Sequence, residues 1–179
     1  YRDNVGNRKK DENYYSIRYE GLVEADNNMK ATDDCAVWNK LFRKSILDRY
    51  DIHFEKILYE DYPFTMQYRS VADKIFYIKD KFHRYLRRDG SIMAKTFEGT
   101  PRSIDHMYAL GYVADFWKRN NLLKKNADIA GRMFSYCYTF ALKRASESII
   151  PSIAEYALKL HNEYSVFSEK IDVTRRHGT

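Results

Sequence analysis

Cysteine is scarce in this chain of 179 residues, and long apolar runs are missing. Two cysteines, Cys35 and Cys137, are too few for a disulfide framework or a four-thiolate zinc site. No apolar run approaches the roughly 18–20 residues that span a bilayer, so the sequence does not predict an integral membrane protein. No basic, apolar and small-residue segments follow one another as in a secretion signal, so secretion is not expected.

The composition favours a folded domain with a positive charge. Hydrophobic residues make up 44% of the chain and charged residues 31%, which allows a buried core. The net charge of +6 suits an anionic partner such as nucleic acid, acidic lipid or a nucleotide diphosphate. The 16 tyrosines and 10 phenylalanines suit stacking on bases or sugars, and they equally suit a core built with tyrosine. Because the sequence opens at Tyr1 without methionine, we expect a fragment of a longer protein.

The apolar pattern divides the chain at about residue 97. Before that point, period-two and β-branched runs predict short strands, and spacings of three and four predict two helices. The first helix is expected to begin with Ser45 as its cap, and the second with Asp61, followed by Pro63 in the first turn. The predicted strands cover residues 14–19, 35–38 and 74–78. The predicted fold class is α/β, as a mixed α+β arrangement.

From about Pro101 the pattern becomes entirely helical. Three stripes of apolar residues step by three and four, which is typical of helices that pack one face on a core. We therefore predict two units, a mixed part over residues 1–97 and a helical C-terminal extension over residues 98–179. The stripes are Met107, Leu110, Ala114 and Trp117; Ile129, Met133, Tyr136 and Phe140; and Ile153, Ala157, Leu160 and Tyr164.

Three pieces of sequence in the mixed part keep a characteristic order. The first, residues 37–43, reads Val-Trp-Asn-Lys-Leu-Phe-Arg, and in the second Phe54 precedes a Leu-Tyr-Glu-Asp run that ends at Asp61. The third, residues 82–92, reads Phe-His-Arg-Tyr-Leu-Arg-Arg-Asp-Gly-Ser-Ile. In order and spacing these pieces resemble the C-terminal half of family 2 glycosyltransferases, which have the GT-A fold.

The resemblance implies an inverting transferase that moves a sugar from a nucleotide-sugar donor to a saccharide or lipid-linked acceptor, in surface polysaccharide synthesis. It implies Asp61 as the general base. It also implies that the nucleotide-binding half is missing, because no Asp-x-Asp metal motif is present and the pair Asp33-Asp34 lacks the spacer. The missing half would bind the Mg²⁺ or Mn²⁺ of the full-length enzyme. The 179 residues are therefore expected to be inactive by themselves.

Two acidic residues, Glu60 and Asp61, stand where the second helix is predicted to begin. A carboxylate within hydrogen-bond reach can take the proton of an attacking hydroxyl, whereas an aspartate at a helix start is also a favoured N-cap. Glu60 could bond an acceptor hydroxyl, order the loop, or be a solvated or structurally paired glutamate. Adjacent residues cannot flank a scissile bond from opposite sides, so a two-carboxylate glycosidase is not expected.

The flanking pieces supply candidate binding residues. Trp38 could pack on the face of a sugar and Asn39 could bond a hydroxyl, although Trp38 also suits a core anchor. His83 stands where the family usually has tyrosine, and it could complete a metal site or be a structural histidine. Arginines nearby could offset pyrophosphate charge, or the segment could be a solvated basic turn. The substrate-binding candidates there are Tyr85, Arg87, Arg88 and Ser91.

Other partners remain open from the sequence. The alternative function is a basic, aromatic-rich binding module for nucleic acid or an anionic membrane surface, but 25 interspersed acidic residues argue against a nucleic-acid stripe, so no nucleic acid is expected. The helical extension could contact acidic lipid, form a homo-oligomer, or simply pack on the rest. We expect a cytoplasmic protein, with peripheral contact to the cytoplasmic membrane face left open. No function is assigned to His53, His106, His161 and His177, which lack ligand spacing.

Overall fold

The computed structural model describes residues 20–24, 35–80, 82–83 and 99–167. A 3₁₀ turn, Pro101–Ile104, leads into the helical region. The fold of these ranges is a mixed α+β arrangement in which helices predominate. Its elements are β1 (Gly21–Glu24), α1 (Lys44–Tyr50), α2 (Asp61–Val71), β2 (Lys74–Tyr77), α3 (Asp105–Arg119), α4 (Ala127–Lys143) and α5 (Ile150–Glu163).

The two strands form an antiparallel pair. β1 runs against β2 with Leu22 opposite Phe76, and both of these side chains are exposed. The strand predicted over residues 74–78 is confirmed, in keeping with the preference of β-branched and aromatic side chains for a pleated surface. The strand predicted over residues 14–19 lies outside the described residues.

The strand predicted over residues 35–38 is wrong, because this segment runs into a turn. Thr65 Oγ1 donates to the Cys35 carbonyl at 2.8 Å. The Val37 amide donates to Asp61 Oδ2 at 3.3 Å. Thr65 and Asp61 of α2 therefore hydrogen-bond the backbone groups that would otherwise pair with a neighbouring strand.

The first two helices begin differently from the prediction. Ser45 is the second residue of α1, not its cap, and Arg43 holds the cap position without a side-chain hydrogen bond. Glu60 holds the cap position of α2, again without a side-chain cap bond, and Asp61 is the first helical residue. The capping role considered for Asp61 is therefore wrong. Pro63 lies in the first turn, as expected.

Helix α2 is buried on nearly all sides, and its Thr65, Gln67 and Ser70 side chains are hydrogen-bonded there. Gln67 Nε2 donates to the Tyr112 carbonyl at 3.2 Å, and the Trp117 indole donates to Ser70 Oγ at 2.7 Å. The Ser70 hydroxyl in turn donates to the Met66 carbonyl at 2.7 Å. Such pairing removes most of the cost of burying polar groups.

The three predicted C-terminal helices are confirmed. Helix α3 buries its whole stripe, and α5 buries Ile153, Ala157 and Leu160, with the buried Tyr164 directly after its end. In α4 only half of the stripe is buried, because Cys137 and Ala141 are buried where Tyr136 and Phe140 were expected, and these two are half-buried. One hydrophobic cluster combines residues of α2 with residues of α3, α4 and α5. The division of the chain at residue 97 stays a prediction. Among the described helices none is long and apolar enough to cross a membrane.

Candidate functional site

The turn that carries Trp38 and Asn39 is fastened to helix α2. Asp61 and Thr65 lie four residues apart and so share one face of the helix. Asp61 accepts from the Val37 amide, and Thr65 donates to the carbonyl that precedes the turn. The first and second sequence pieces therefore meet at a defined contact.

Lys40 stabilises this turn through three hydrogen bonds. Its Nζ donates to the Ala36 carbonyl at 2.6 Å and to Asn39 Oδ1 at 2.9 Å. Its backbone amide donates to the Val37 carbonyl at 3.2 Å. These bonds hold Asn39 exposed and Trp38 half-buried at the tip of the turn, which leaves an aromatic face and an amide near the start of α2.

The third piece reaches the same turn through His83. The rings of Trp38 and His83 have centroids 4.7 Å apart and planes inclined by 31°. His83 is exposed, whereas Trp38 is half-buried, so the imidazole covers part of the indole. The structure thus brings Trp38, Asn39, Asp61 and His83 into one region. The predicted residues Tyr85, Arg87, Arg88 and Ser91 lie outside the described ranges.

A tight turn leads the chain into α2. Tyr59 has a φ of 68°, in the left-handed region that bulky residues seldom adopt. Its carbonyl accepts from the Tyr62 amide at 3.0 Å, and the Glu60 carbonyl accepts from the Phe64 amide at 3.4 Å. Glu60 and Asp61 are both half-buried, so each keeps part of its surface in solvent.

The start of helix α3 holds this turn from the other side. Asp105 Oδ2 accepts from the Leu58 amide at 2.7 Å, and Arg102 donates to the same oxygen from Nε at 3.1 Å and from a terminal nitrogen at 2.8 Å. The ring of His106 stacks on Tyr59 with centroids 3.5 Å apart. Neighbouring residues of α3 therefore contact both residues that precede Glu60.

The His106 ring is neutral and enclosed. Phe140 meets it edge to face at 4.2 Å, and the Arg144 guanidinium lies over Phe140 at 3.3 Å. Burial first, and the positive charge of Arg144 second, lower the pKa of His106 to about 3. Within the described residues its Nε2 is buried without a hydrogen-bond partner.

Asp105 and His106 have no counterpart in the predicted site. Their contacts cross 47 residues of sequence, from Leu58 and Tyr59 to the first turn of α3. The only local signal is their position directly after the Pro101–Ile104 turn, and that signal indicates a helix start rather than a partner.

The described residues do not provide a metal site. Within the ranges given above, no group of three or more histidine, cysteine, aspartate or glutamate side chains is arranged to hold a metal ion. His83 has the Trp38 ring as its neighbour. The predicted role of His83 as a metal ligand therefore draws no support from this geometry.

Comparison with protein-family models, with curated proteins and with solved structures finds no match for this chain.

Proposed function

We propose that this chain forms the acceptor side of an inverting glycosyltransferase with a GT-A fold. The observation that carries the proposal is the bond from the Val37 amide to Asp61, which joins the Trp38–Asn39 turn to the start of α2. Two sequence pieces that are 24 residues apart thereby form one surface, and His83 from the third piece lies on it.

The surface has the groups that binding a sugar acceptor requires. The indole of Trp38 can pack against the C–H face of a saccharide, and the exposed Asn39 can hydrogen-bond a hydroxyl. Glu60 stands beside Asp61 and can order a second hydroxyl. The partners of this surface are thus a saccharide or lipid-linked acceptor and a nucleotide-sugar donor.

Asp61 is the proposed general base. As the acceptor oxygen attacks the anomeric carbon, the carboxylate takes the hydroxyl proton, and the bond from that carbon to the nucleoside diphosphate breaks with its electron pair. The base acts in its carboxylate form, which is the form that can accept the proton. The donor is expected to be held by residues outside those described, with Tyr85, Arg87, Arg88 and Ser91 as the predicted contributors.

Asp61 also has a structural role, and a test must separate the two. Its carboxylate anchors the Val37 amide, so removing the side chain would loosen the turn even if no proton were transferred. Thr65 offers a matched control, because it fastens the same turn through the Cys35 carbonyl but carries no carboxylate.

The experiment compares Asp61→Asn and Thr65→Val in the full-length protein that contains these residues. A panel of radiolabelled uridine and guanosine diphosphate sugars is supplied with saccharide acceptors, and transfer is measured beside equilibrium dialysis of the diphosphate. The asparagine variant keeps an oxygen for Val37, so turnover should fall by roughly 10²–10⁴-fold while diphosphate binding persists. Thr65→Val should lower turnover far less. Turnover of Asp61→Asn at the wild-type rate would refute the proposed base.

A further inference from the structure

Two consecutive residues of α3 contact the two residues that precede Glu60. Asp105 binds the amide of Leu58, and His106 stacks on the side chain of Tyr59. Both belong to the first turn of α3. Between them they fix one backbone group and one ring on the two residues that lead into the Glu60–Asp61 pair.

Arg102 orients the Asp105 carboxylate that binds Leu58. Only 10% of the Asp105 side chain is exposed, and Arg102 reaches its Oδ2 with two donors. The same oxygen accepts from Leu58. A charge-assisted pair of this kind is short and directional, so it holds the carboxylate where the Leu58 amide needs it.

The His106 contact restrains a strained residue. Tyr59 sits at a positive φ, a strained conformation that persists only when the surrounding structure enforces it. The stacked imidazole and the Phe140 ring behind it supply that constraint. Without the stack, Tyr59 could relax to an ordinary conformation, and the direction in which the chain enters α2 would change.

We propose that Asp105 and His106 are positioning residues, which set where the Asp61 carboxylate stands relative to the Trp38–Asn39 turn. The effect of these two residues on catalysis rests on the function proposed above, whereas their effect on the position of Asp61 does not. Within the described residues, Asp105 bonds to Leu58 and His106 stacks on Tyr59, two residues that precede the Glu60–Asp61 pair. Asp105 and His106 act on Asp61 through Leu58 and Tyr59. The hydrogen bond from the Val37 amide to Asp61 depends on the position of Asp61, so a displacement of Asp61 should weaken that bond.

The structural arm of the test is amide hydrogen exchange read by NMR. His106→Ala removes the stack, and His106→Phe keeps a ring against Tyr59. Ile153→Ala, a change at a buried residue of α5, controls for a general loss of stability. His106→Ala should speed exchange at Val37 and Leu58 roughly tenfold relative to Leu110 in the core of α3. His106→Phe should restore the wild-type ratio, and Ile153→Ala should leave that ratio unchanged.

Unchanged exchange ratios in His106→Ala would overturn the proposal, and so would a shift of equal size in Ile153→Ala. Asp105→Asn provides an independent check, because it weakens the same grip without touching the ring. It should raise the exchange of Leu58 first and that of Val37 with it. A change confined to Leu58 would show that the turn does not govern Asp61.

The catalytic arm uses the transfer assay described above. His106→Ala should lower kcat by roughly tenfold with little change in the KM for the saccharide, and His106→Phe should restore it. A rise in KM alone would contradict positioning of the base. If Asp61→Asn itself kept full turnover, the proposed function would fail, whereas the exchange ratios would still decide whether Asp105 and His106 place Asp61.

Discussion

At the scale of single residues, the most consequential side chain is a histidine that the sequence did not single out. His106 is 6% exposed and neutral, with a pKa lowered to about 3 by burial and by Arg144. An unfolded chain would protonate the same ring near its ordinary pKa of about 6.5. Folding and protonation of this ring therefore compete.

The direction of the pH effect follows from that competition. Above about pH 6.5 the ring is neutral in both states, and its burial carries no protonation cost. As the pH falls from about 6.5 towards about 3, the unfolded state gains a proton that the folded state does not, so the free energy of unfolding declines. The loss is on the order of a few kcal/mol over that window.

Urea unfolding followed by circular dichroism at a series of pH values measures this effect. His106→Phe cannot be protonated, so its free energy of unfolding should decline less steeply with acid than that of the wild type. Carboxylates contribute equally to both proteins and cancel in the comparison. Parallel curves for the two proteins would show that His106 does not carry the effect.

A second residue-scale prediction concerns Gly111. A methyl group placed there would lie 2.5 Å from the Tyr156 hydroxyl oxygen. This distance is shorter than van der Waals contact, so the tyrosine or the helix would have to shift. Gly111→Ala should therefore destabilise the protein by about 1–3 kcal/mol, despite the better helix propensity of alanine.

Tyr156→Phe is the matched partner for that change. It removes the clashing oxygen and leaves the nearest ring atom at 3.5 Å, an ordinary contact. In the Tyr156→Phe background, Gly111→Ala should cost little or should stabilise the helix by up to about 1 kcal/mol. Denaturation of both single variants and the double variant measures the coupling, and simple additivity would contradict the clash.

At the scale of elements, side-chain hydrogen bonds join α2 to α3, and the Trp117–Ser70 bond is fully buried. The Trp117 indole of α3 donates to the hydroxyl of Ser70 in α2. Ser70→Ala leaves the indole without its acceptor in a fully buried position, which should cost about 1–3 kcal/mol of stability. Thermal unfolding measures the loss. Ser45→Ala on the exposed surface of α1 is the control and should change stability by less than about 0.5 kcal/mol.

Elements differed in how far the sequence predicted them. Helices α3, α4 and α5 follow from stripes at spacings of three and four, because one apolar face suffices to select a helix. The strand predicted at residues 35–38 failed because its backbone groups bond to Thr65 and Asp61, side chains that come 24 to 30 residues later. Short apolar runs carry no information about such distant partners.

At the scale of the whole molecule, the core is continuous between the two predicted units. Phe64 and Met66 of α2 belong to the same buried cluster as Leu110 of α3 and Met133 of α4. A shared core of this kind should unfold as one cooperative unit. Native-state hydrogen exchange should then give α2 and α3 the same opening free energy, whereas a clearly lower value for α2 would support separate domains over residues 1–97 and 98–179.

The candidate site was predictable only where its residues are linked by local sequence. The order of the pieces pointed to Trp38, Asn39 and Asp61, and the structure gathers them beside one turn of α2. Asp105 and His106 were missed because their contacts with Leu58 and Tyr59 depend on how α3 packs, and no local spacing encodes such long-range contacts. The roles of Tyr85, Arg87, Arg88 and Ser91 stay predictions.

The two tryptophans of the chain occupy opposite environments. Trp117 is fully buried with its indole nitrogen bonded, whereas Trp38 is half-buried on the turn beside His83. Their fluorescence should therefore separate into a blue-shifted component shielded from iodide and a second component that iodide quenches. If a saccharide covers Trp38, as proposed, it should protect only the second component from iodide, and the emission of the buried Trp117 would serve as the internal reference.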